Sequence, residues 1–240
     1  MPFYYYYDWY YIVLVLPCIL FSLLCSYLVK HTFHKYSQRH SRRGITGAEA
    51  AQRVLRQNGV YDVRIERVSG ELSDHYDPKT NVIRLSDDVY SSTSTAAIGV
   101  ACHEASHAVQ YAQSYGPIKL RAAIIPITNI GSKLAMPLIL LGVVLGALEW
   151  LAPEVSEYLV YIGIACFGLA LIFQLVTLPV EFNASRRAMA SIRDGDILGQ
   201  EECKDARKVL TAAAMTYVAA TAVALAQLLR LVLLFAKKDD

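Results

Sequence analysis

The chain has 240 residues, of which 55% are hydrophobic and 18% are charged, and its mean hydropathy is +0.32. A composition this apolar excludes an ordinary soluble domain and indicates a membrane protein. The formal net charge of +2 is too small to favour a nucleic-acid-binding surface. The five cysteines form no Cys-x-x-Cys pair, so neither a disulfide framework nor a zinc ribbon is expected.

Four apolar segments have the length and composition of membrane-spanning helices, for which about 20 apolar residues are needed. They are residues 9–29, 134–151, 158–180 and 212–235. The second is the shortest and spans only if Glu149 and Trp150 lie at the membrane interface. The fourth contains Arg230 near one end, where the long side chain can snorkel to the headgroups. The sequence therefore predicts an α-helical membrane protein with four transmembrane helices.

The distribution of basic residues predicts the orientation, because Lys and Arg are enriched in cytoplasmic loops close to the ends of spans. Basic residues follow the first and third spans, whereas the link between the second and third holds Glu154 and Glu157 and no Lys or Arg. With the N-terminus outside the cell, residues 30–133 and 181–211 are then both cytoplasmic. The predicted division of the chain is 1–29, 30–133, 134–180, 181–211 and 212–240.

Two helices are predicted within residues 30–133. The first begins with a capping box, Thr46-Gly47-Ala48-Glu49, and continues to about Gln57, where Asn58-Gly59 stops it. The second has candidate N-caps at residues 91–94 and covers about residues 95–113, ended by Gly116-Pro117. These helices and a few strands predict a small α+β domain.

A small sheet of two or three strands is predicted between these helices. Residues 60–68 alternate weakly and residues 81–85 have strand character, with a turn signal at residues 77–81 between them. The polar run Asp74-His75-Tyr76-Asp77 is interpreted as the end of a hairpin, with a place in a substrate cleft as the alternative. In that alternative, the strand over residues 81–85 would offer its edge to an extended peptide.

The predicted helix over residues 95–113 contains the H-E-x-x-H motif His103-Glu104-Ala105-Ser106-His107. Two histidines four residues apart rise ~6 Å along one helix face and can bind one zinc ion, with Glu104 placed to accept a proton from water. The alternative is a helix with two solvated histidines. Cys102 adjoins the first histidine but points about 100° away on a helix, so it is not expected to bind the metal.

A catalytic zinc normally has three protein ligands, and the extended H-E-x-x-H-x-x-G-x-x-H pattern of metzincins is absent here. The best candidate for the third ligand is Glu181, which follows the third span on the same side of the membrane. The alternative is an interfacial glutamate that pairs with Arg186 or Arg187.

These residues resemble the bacterial membrane-bound neutral zinc metallopeptidases of zinc-peptidase type 2, which are distant relatives of the membrane gluzincins. The likeness covers nearly the whole chain, and it is carried by residues 44–49, 76–78, 84–86, 103–107, 179–182 and 185–188. It implies a zincin-like fold, Zn²⁺ bound by His103, His107 and Glu181, and Glu104 as the catalytic base.

The gluzincin relatives favour E-x-x-x-D on the helix of the third ligand, where the acid supports a zinc-binding histidine. Ser185 stands at the position of that acid in this chain. The residue that orients the histidines is therefore left open by the sequence, with Asn183 as one candidate.

The predicted function is a membrane-embedded zinc metalloendopeptidase of the bacterial cell membrane, with its active site on the cytoplasmic side. Its partners would be the lipid bilayer and a membrane or membrane-proximal protein substrate. Glu104 would take the proton of a zinc-activated water and pass it to the leaving amine. Tyr76, His75 and Arg186 are candidates for stabilising the oxyanion.

Two other classes of protein are less consistent with the sequence. A zinc-binding scaffold or assembly factor without turnover is disfavoured because a structural zinc site usually fills its fourth position with Cys or His. A transporter is disfavoured because, apart from Arg230, the spans lack the intramembrane charges that ion pathways need.

Overall fold

The computed structural model describes residues 8–70 and 72–236, and they form mostly helix with one small sheet. A π-helical turn, Tyr11–Val15, leads into the first helix. The helices are α1 (Leu16–Ser37), α2 (Gly47–Gln57), α3 (Asp87–Tyr90), α4 (Thr95–Ala112), α5 (Gly116–Ala147), α6 (Pro153–Asp194) and α7 (Gln200–Ala236). The strands are β1 (Arg64–Val68), β2 (His75–Asp77) and β3 (Val82–Ser86).

Four of the helices are long and apolar enough to cross a membrane: α1 with its preceding turn, α5, α6 and α7. Each predicted apolar segment overlaps one of these helices, and each helix extends well past the predicted limit at one end or at both. Pro179 was expected to close the third span and instead lies inside α6. Membrane helices tolerate such prolines because neighbouring groups satisfy the freed backbone carbonyl.

The second predicted span also differs in its limits. Gly116-Pro117 was expected to end α4, yet it begins α5, because a proline in the first turn of a helix removes only an N–H that has no partner there. Helix α4 ends at Ala112, four residues before Gly116, and Ser114 turns the chain with a φ of 56°. At its other end α5 stops at Ala147 instead of residue 151.

The described residues divide into two compact units. The apolar unit comprises residues 8–24, 120–177 and 218–236, and the α+β unit comprises residues 25–119 and 178–217. Within the apolar unit, α5 and α6 approach closely at Gly142, where an added Cβ would lie 2.7 Å from the carbonyl oxygen of Ser156. Arg230, which is predicted to snorkel, forms an ion pair with Asp8 and lies over the ring of Tyr11.

The sheet of the α+β unit has the strand order β1-β3-β2, with β1 parallel and β2 antiparallel to β3. Strand β3 is central and its Ile83 and Leu85 are fully buried. The expectation that this strand offers an edge to a peptide is therefore wrong, because hydrogen-bonded neighbours occupy both of its sides. The free edges belong to β1 and β2.

Local capping signals set the starts of both predicted helices of this unit. Thr46 accepts a hydrogen bond from the Glu49 N–H at 3.2 Å, and Glu49 accepts one from the Thr46 N–H at 2.9 Å, so the predicted capping box is confirmed. Ser94 caps α4 by accepting from the Ala97 N–H at 3.2 Å.

Helix α4 is the most enclosed helix of the α+β unit. Small residues cover its buried face, among them Ala97, Ala101, Cys102 and Ala105, and all are fully buried. Small side chains let α2, the sheet and α7 approach the α4 backbone closely, and these elements form one hydrophobic core around it. Cys102 is part of this core, where burial raises the pKa of its thiol.

Candidate active site

Helices α4 and α6 bring His103, His107 and Glu181 together. The Nε2 atoms of His103 and His107 lie 3.3 and 3.5 Å from the Glu181 Oε2 atom, and the two imidazole rings are nearly perpendicular. The candidate ligand atoms of the three residues all lie within 4.8 Å of one another. Over residues 8–70 and 72–236, no other group of three His, Cys, Asp or Glu residues is close enough to hold a metal ion.

Glu181 lies on α6 and is 3% exposed. Because α6 continues through Pro179, Glu181 lies at a regular helical position. From there its carboxylate contacts the two histidines of α4. The sequence also allowed an ion pair between this glutamate and Arg186 or Arg187. In the structure Arg187 donates instead to Asn183 at 2.7 Å and to Gln113 at 2.6 Å.

The second histidine is oriented by Gln110, which lies one helical turn further along α4 and is fully buried. The Gln110 Nε2 atom donates to the Val180 carbonyl oxygen at 2.9 Å and to the Asn183 Oδ1 atom at 3.0 Å. A carbonyl oxygen only accepts, so the amide oxygen must face the His107 Nδ1 atom, 3.0 Å away. The Nδ1 atom therefore carries the proton, and the Nε2 lone pair of the neutral ring is directed to the metal position.

The first histidine has a different partner. Ser185 Oγ lies 3.2 Å from the His103 Nδ1 atom, so this serine contacts the ring from the position that the gluzincin relatives give to an acid. Asn183, the candidate named from the sequence, reaches a histidine only through Gln110. Gln110 is not among the residues predicted from the sequence, although its spacing of three residues from His107 places both on one helix face.

Glu104 lines the same cleft as His103 and Glu181. Its Oε2 atom accepts a hydrogen bond from the Tyr76 N–H of strand β2 at 3.0 Å. Burial raises the pKa of Glu104 to about 7, and the neighbouring His103 acts in the opposite direction. The backbone of β2 thus holds one carboxylate oxygen of the predicted base.

The three candidates for oxyanion stabilisation occupy different places. The Tyr76 hydroxyl donates to Asn81 at 2.7 Å, and desolvation raises its pKa to about 12. His75 is exposed and its Nδ1 atom lies 2.8 Å from the Ser73 carbonyl oxygen. Arg186 lines a separate groove between α6 and α7. Only the backbone N–H of Tyr76 contacts a residue of the candidate site.

Asp74 lies at one end of the β2–β3 hairpin and also lines the cleft. It accepts hydrogen bonds from the Ser86 N–H at 2.7 Å and the Ser86 hydroxyl at 3.1 Å, which ties the start of β2 to the end of β3. Desolvation raises the pKa of its carboxyl group.

The remaining walls of the cleft are largely apolar, and its volume is about 140 Å³. The walls come from α1, the loop before β2, α4 and α7. Their apolar residues are Val29, Phe33, Leu72, Val100, Val209, Leu210, Ala213, Ala214 and Tyr217. The cleft thus combines the polar groups of the candidate site with a largely apolar lining.

Residues 11–236 match the model of a family described as "Putative neutral zinc metallopeptidase". The chain belongs to this family. It is also 45% identical over 230 residues to a protein of Bacillus subtilis (strain 168) named "Putative membrane protease YugP", and the match covers 96% of this chain and 98% of that protein. No solved structure matches the chain significantly. The family resemblance and the zinc cofactor predicted from the sequence are thereby confirmed.

The residues at the candidate site fit the zinc ion that the family implies. Two imidazole nitrogens and one carboxylate oxygen are ordinary zinc ligands, and three protein ligands leave a position for water in a catalytic site. His107 has the tautomer that metal binding requires, and both histidines have a partner at Nδ1. These contacts hold the rings in place before a metal arrives.

We expect Gln110→Ala to weaken zinc binding by about 10- to 100-fold, the usual effect of losing a partner that orients a metal-binding histidine. Gln113→Ala is the matched control, because Gln113 lies just beyond the same helix and contacts Arg187 at the surface. Zinc affinity is measured by competition with a chelator, and thermal unfolding of the metal-free proteins reports loss of fold. Equal zinc affinity in the Gln110 variant and the wild type would remove Gln110 from the site.

Proposed function

We propose that this chain is a zinc metalloendopeptidase that hydrolyses peptide bonds of membrane or membrane-proximal proteins. The observation that supports this most directly is the meeting of His103, His107 and Glu181 beside Glu104 in one cleft. A site made only to bind zinc would have no use for a buried carboxylate next to its ligands.

In this proposal His103, His107 and Glu181 hold the zinc ion. When bound, zinc supplies Lewis acidity, which activates water and polarises the scissile carbonyl group. Glu104 takes the proton of the attacking water and delivers it to the leaving amine. The Tyr76 N–H holds one oxygen of Glu104 in place, so that the carboxylate keeps its orientation while its proton is exchanged.

The lining of the cleft supports a peptide substrate with an apolar side chain next to the scissile bond. Its volume of about 140 Å³ is enough for one such side chain, and most of its lining residues are apolar. The free edge of β2 faces the site, because the Tyr76 N–H on that side reaches Glu104. An extended peptide can bind along such an edge through backbone hydrogen bonds.

The position of the site along the chain supports a membrane-associated substrate. Glu181 directly follows the apolar part of α6, and the cleft is lined by residues at the ends of the apolar stretches of α1 and α7. We propose a multi-pass protein of the bacterial cell membrane with this site on the cytoplasmic side, as the distribution of basic residues predicts.

The catalytic role of Glu104 separates a peptidase from a zinc-binding scaffold. Glu104→Gln should keep zinc and lose about 10²- to 10⁴-fold in peptide cleavage, because an amide of the same size cannot accept the proton. The matched control is Glu201→Gln, which changes an exposed glutamate paired only with Lys204. Cleavage is measured on a fluorogenic peptide library with zinc-loaded protein in detergent. A zinc-loaded wild type without cleavage would favour the scaffold.

The ligand assignment is tested by zinc content. Glu181→Ala should weaken zinc binding at least about 10-fold, and Glu181→Asp should retain some metal but lose activity, because the shorter side chain changes the geometry. His103→Ala and His107→Ala should lose the metal. The control is Asp196→Ala, which removes an exposed acid. Elemental analysis of the purified proteins decides. Full zinc content in the Glu181→Ala protein would contradict the assignment.

The orientation is tested with single cysteines in a background without the five native ones. The three positions chosen for the probes, Gln38, Asp194 and Glu154, are exposed. We expect probes at residues 38 and 194 to resist a membrane-impermeant reagent in intact cells, and a probe at residue 154 to be labelled. The reverse pattern would place the active site outside the cell.

A further inference from the structure

A second groove lies between the C-terminal part of α6 and the N-terminal part of α7, both in the α+β unit. Its volume is about 510 Å³. One face of each helix forms its walls, with α6 contributing residues between 182 and 193 and α7 contributing residues between 207 and 215. The groove shares only Ser185, Leu210 and Ala214 with the catalytic cleft.

The groove is positively charged. Arg186, Arg193 and Arg207 line it and are exposed. Arg193 contacts the exposed Asp194 at 3.4 Å, whereas neither Arg186 nor Arg207 forms a salt bridge with any residue in the described part of the chain. None of the described lining residues is Asp or Glu. The lining of the groove therefore carries a net positive charge, which favours binding of an anionic partner.

The charges are distributed unevenly along the groove. Phe182 and Met215 lie at the end nearest the apolar stretches of α6 and α7, and Arg193 and Arg207 lie at the opposite end. Arg186 and Leu210 lie between them. An occupant that fits this gradient has an anionic group at one end and a hydrocarbon part at the other.

The arginines also lie at a suitable depth if the apolar stretches cross a bilayer. Arg186 is about 9 Å beyond residue 180, and Arg207 is about 8 Å before residue 212, at 1.5 Å per helical residue. The headgroup layer extends roughly 5–8 Å outside the hydrocarbon core. Flexible arginine side chains at these positions can reach lipid phosphates from the aqueous side.

We propose that this groove binds an anionic phospholipid. Arg186 and Arg207 donate to its phosphate, Arg193 lies beside the outer part of the headgroup, and the acyl chains lie along Phe182 and Met215. Guanidinium groups bind phosphate through paired, charge-assisted hydrogen bonds, and basic pockets between membrane helices are suited to anionic headgroups. The inference depends on the membrane location proposed above and is independent of peptidase activity.

An acidic segment of a peptide substrate is the competing occupant, because the groove adjoins the catalytic cleft. The apolar end formed by Phe182 and Met215 favours the lipid, since an acidic peptide would leave this surface uncovered. The sheet contributes no residue to the described lining, so the groove also lacks a strand edge along which an extended backbone could pair.

The test uses the full-length, zinc-loaded protein in neutral detergent. It is titrated with dioleoyl phosphatidylglycerol or with dioleoyl phosphatidylcholine, and the retained lipid is counted by native mass spectrometry. We expect one phosphatidylglycerol per chain, bound at least about 10-fold more tightly than phosphatidylcholine. The combined change Arg186→Gln, Arg193→Gln and Arg207→Gln should remove this preference. The matched control changes three exposed arginines elsewhere, Arg42, Arg53 and Arg56, to Gln.

Unchanged zinc content shows that the altered proteins are folded, and a variant with Lys at the same three positions should keep part of the preference. Equal binding of the two lipids by the wild type would overturn the proposal, as would equal losses in the triple variant and its control. Displacement of the lipid by millimolar inorganic phosphate would assign a phosphate site instead. Unchanged lipid binding with slower cleavage of acidic peptides alone would assign a substrate subsite.

Discussion

The fully buried amide of Gln110 must satisfy three neighbours on two helices at once. It accepts from His107 on its own helix, and it donates to the Val180 carbonyl oxygen and to Asn183 on α6. A buried polar group without its partner costs about 1–3 kcal/mol, so α4 and the end of α6 are strongly favoured in this one arrangement. That arrangement also places the Glu181 carboxylate against both histidines. Ligand geometry and helix packing thus depend on the same contact.

The way in which α4 is buried explains how it can carry such a site. One face of the helix is made of small residues packed into the core of the α+β unit, and the opposite face presents His103 and Glu104 to the cleft. A helix enclosed in this way has little freedom to turn about its axis. Side chains attached to rigid elements keep their positions within the narrow range of distances and angles that metal binding and proton transfer need.

Signals confined to a few neighbouring residues predicted their part of the fold well. The capping box at Thr46 and the H-E-x-x-H spacing are of this kind, because both follow from helix geometry alone. The limits of the long helices were predicted less well. Pro179 and Gly116-Pro117 are breakers in a soluble chain, but one lies within a helix and the other begins one. Pro179 is tolerated because of surroundings that the local sequence does not contain, whereas Pro117 is compatible with the first turn of a helix in any chain.

The residues of the candidate site likewise include some that the local sequence predicts and some that it does not. His103, Glu104 and His107 could be named from residue type and spacing, and Glu181 could be named from its position directly after the third predicted span. The N–H of Tyr76 could not, because every residue other than proline has such a group and only the placement of β2 selects this one. The sequence shows the arginines of the α6–α7 groove as basic residues. That they line one groove follows only from the packing of two segments that are separate in the sequence.

The segment from Val180 to Ser185 meets α4 through four of its six residues: Val180, Glu181, Asn183 and Ser185. An extra residue within this segment would turn everything after it by about 100° and advance it by about 1.5 Å. The contacts on either side of the insertion could then no longer form together, whatever residue was added. The length of this segment therefore matters as much as its side chains, and insertions or deletions within it should be far less tolerated than a substitution at Phe182, whose side chain is exposed.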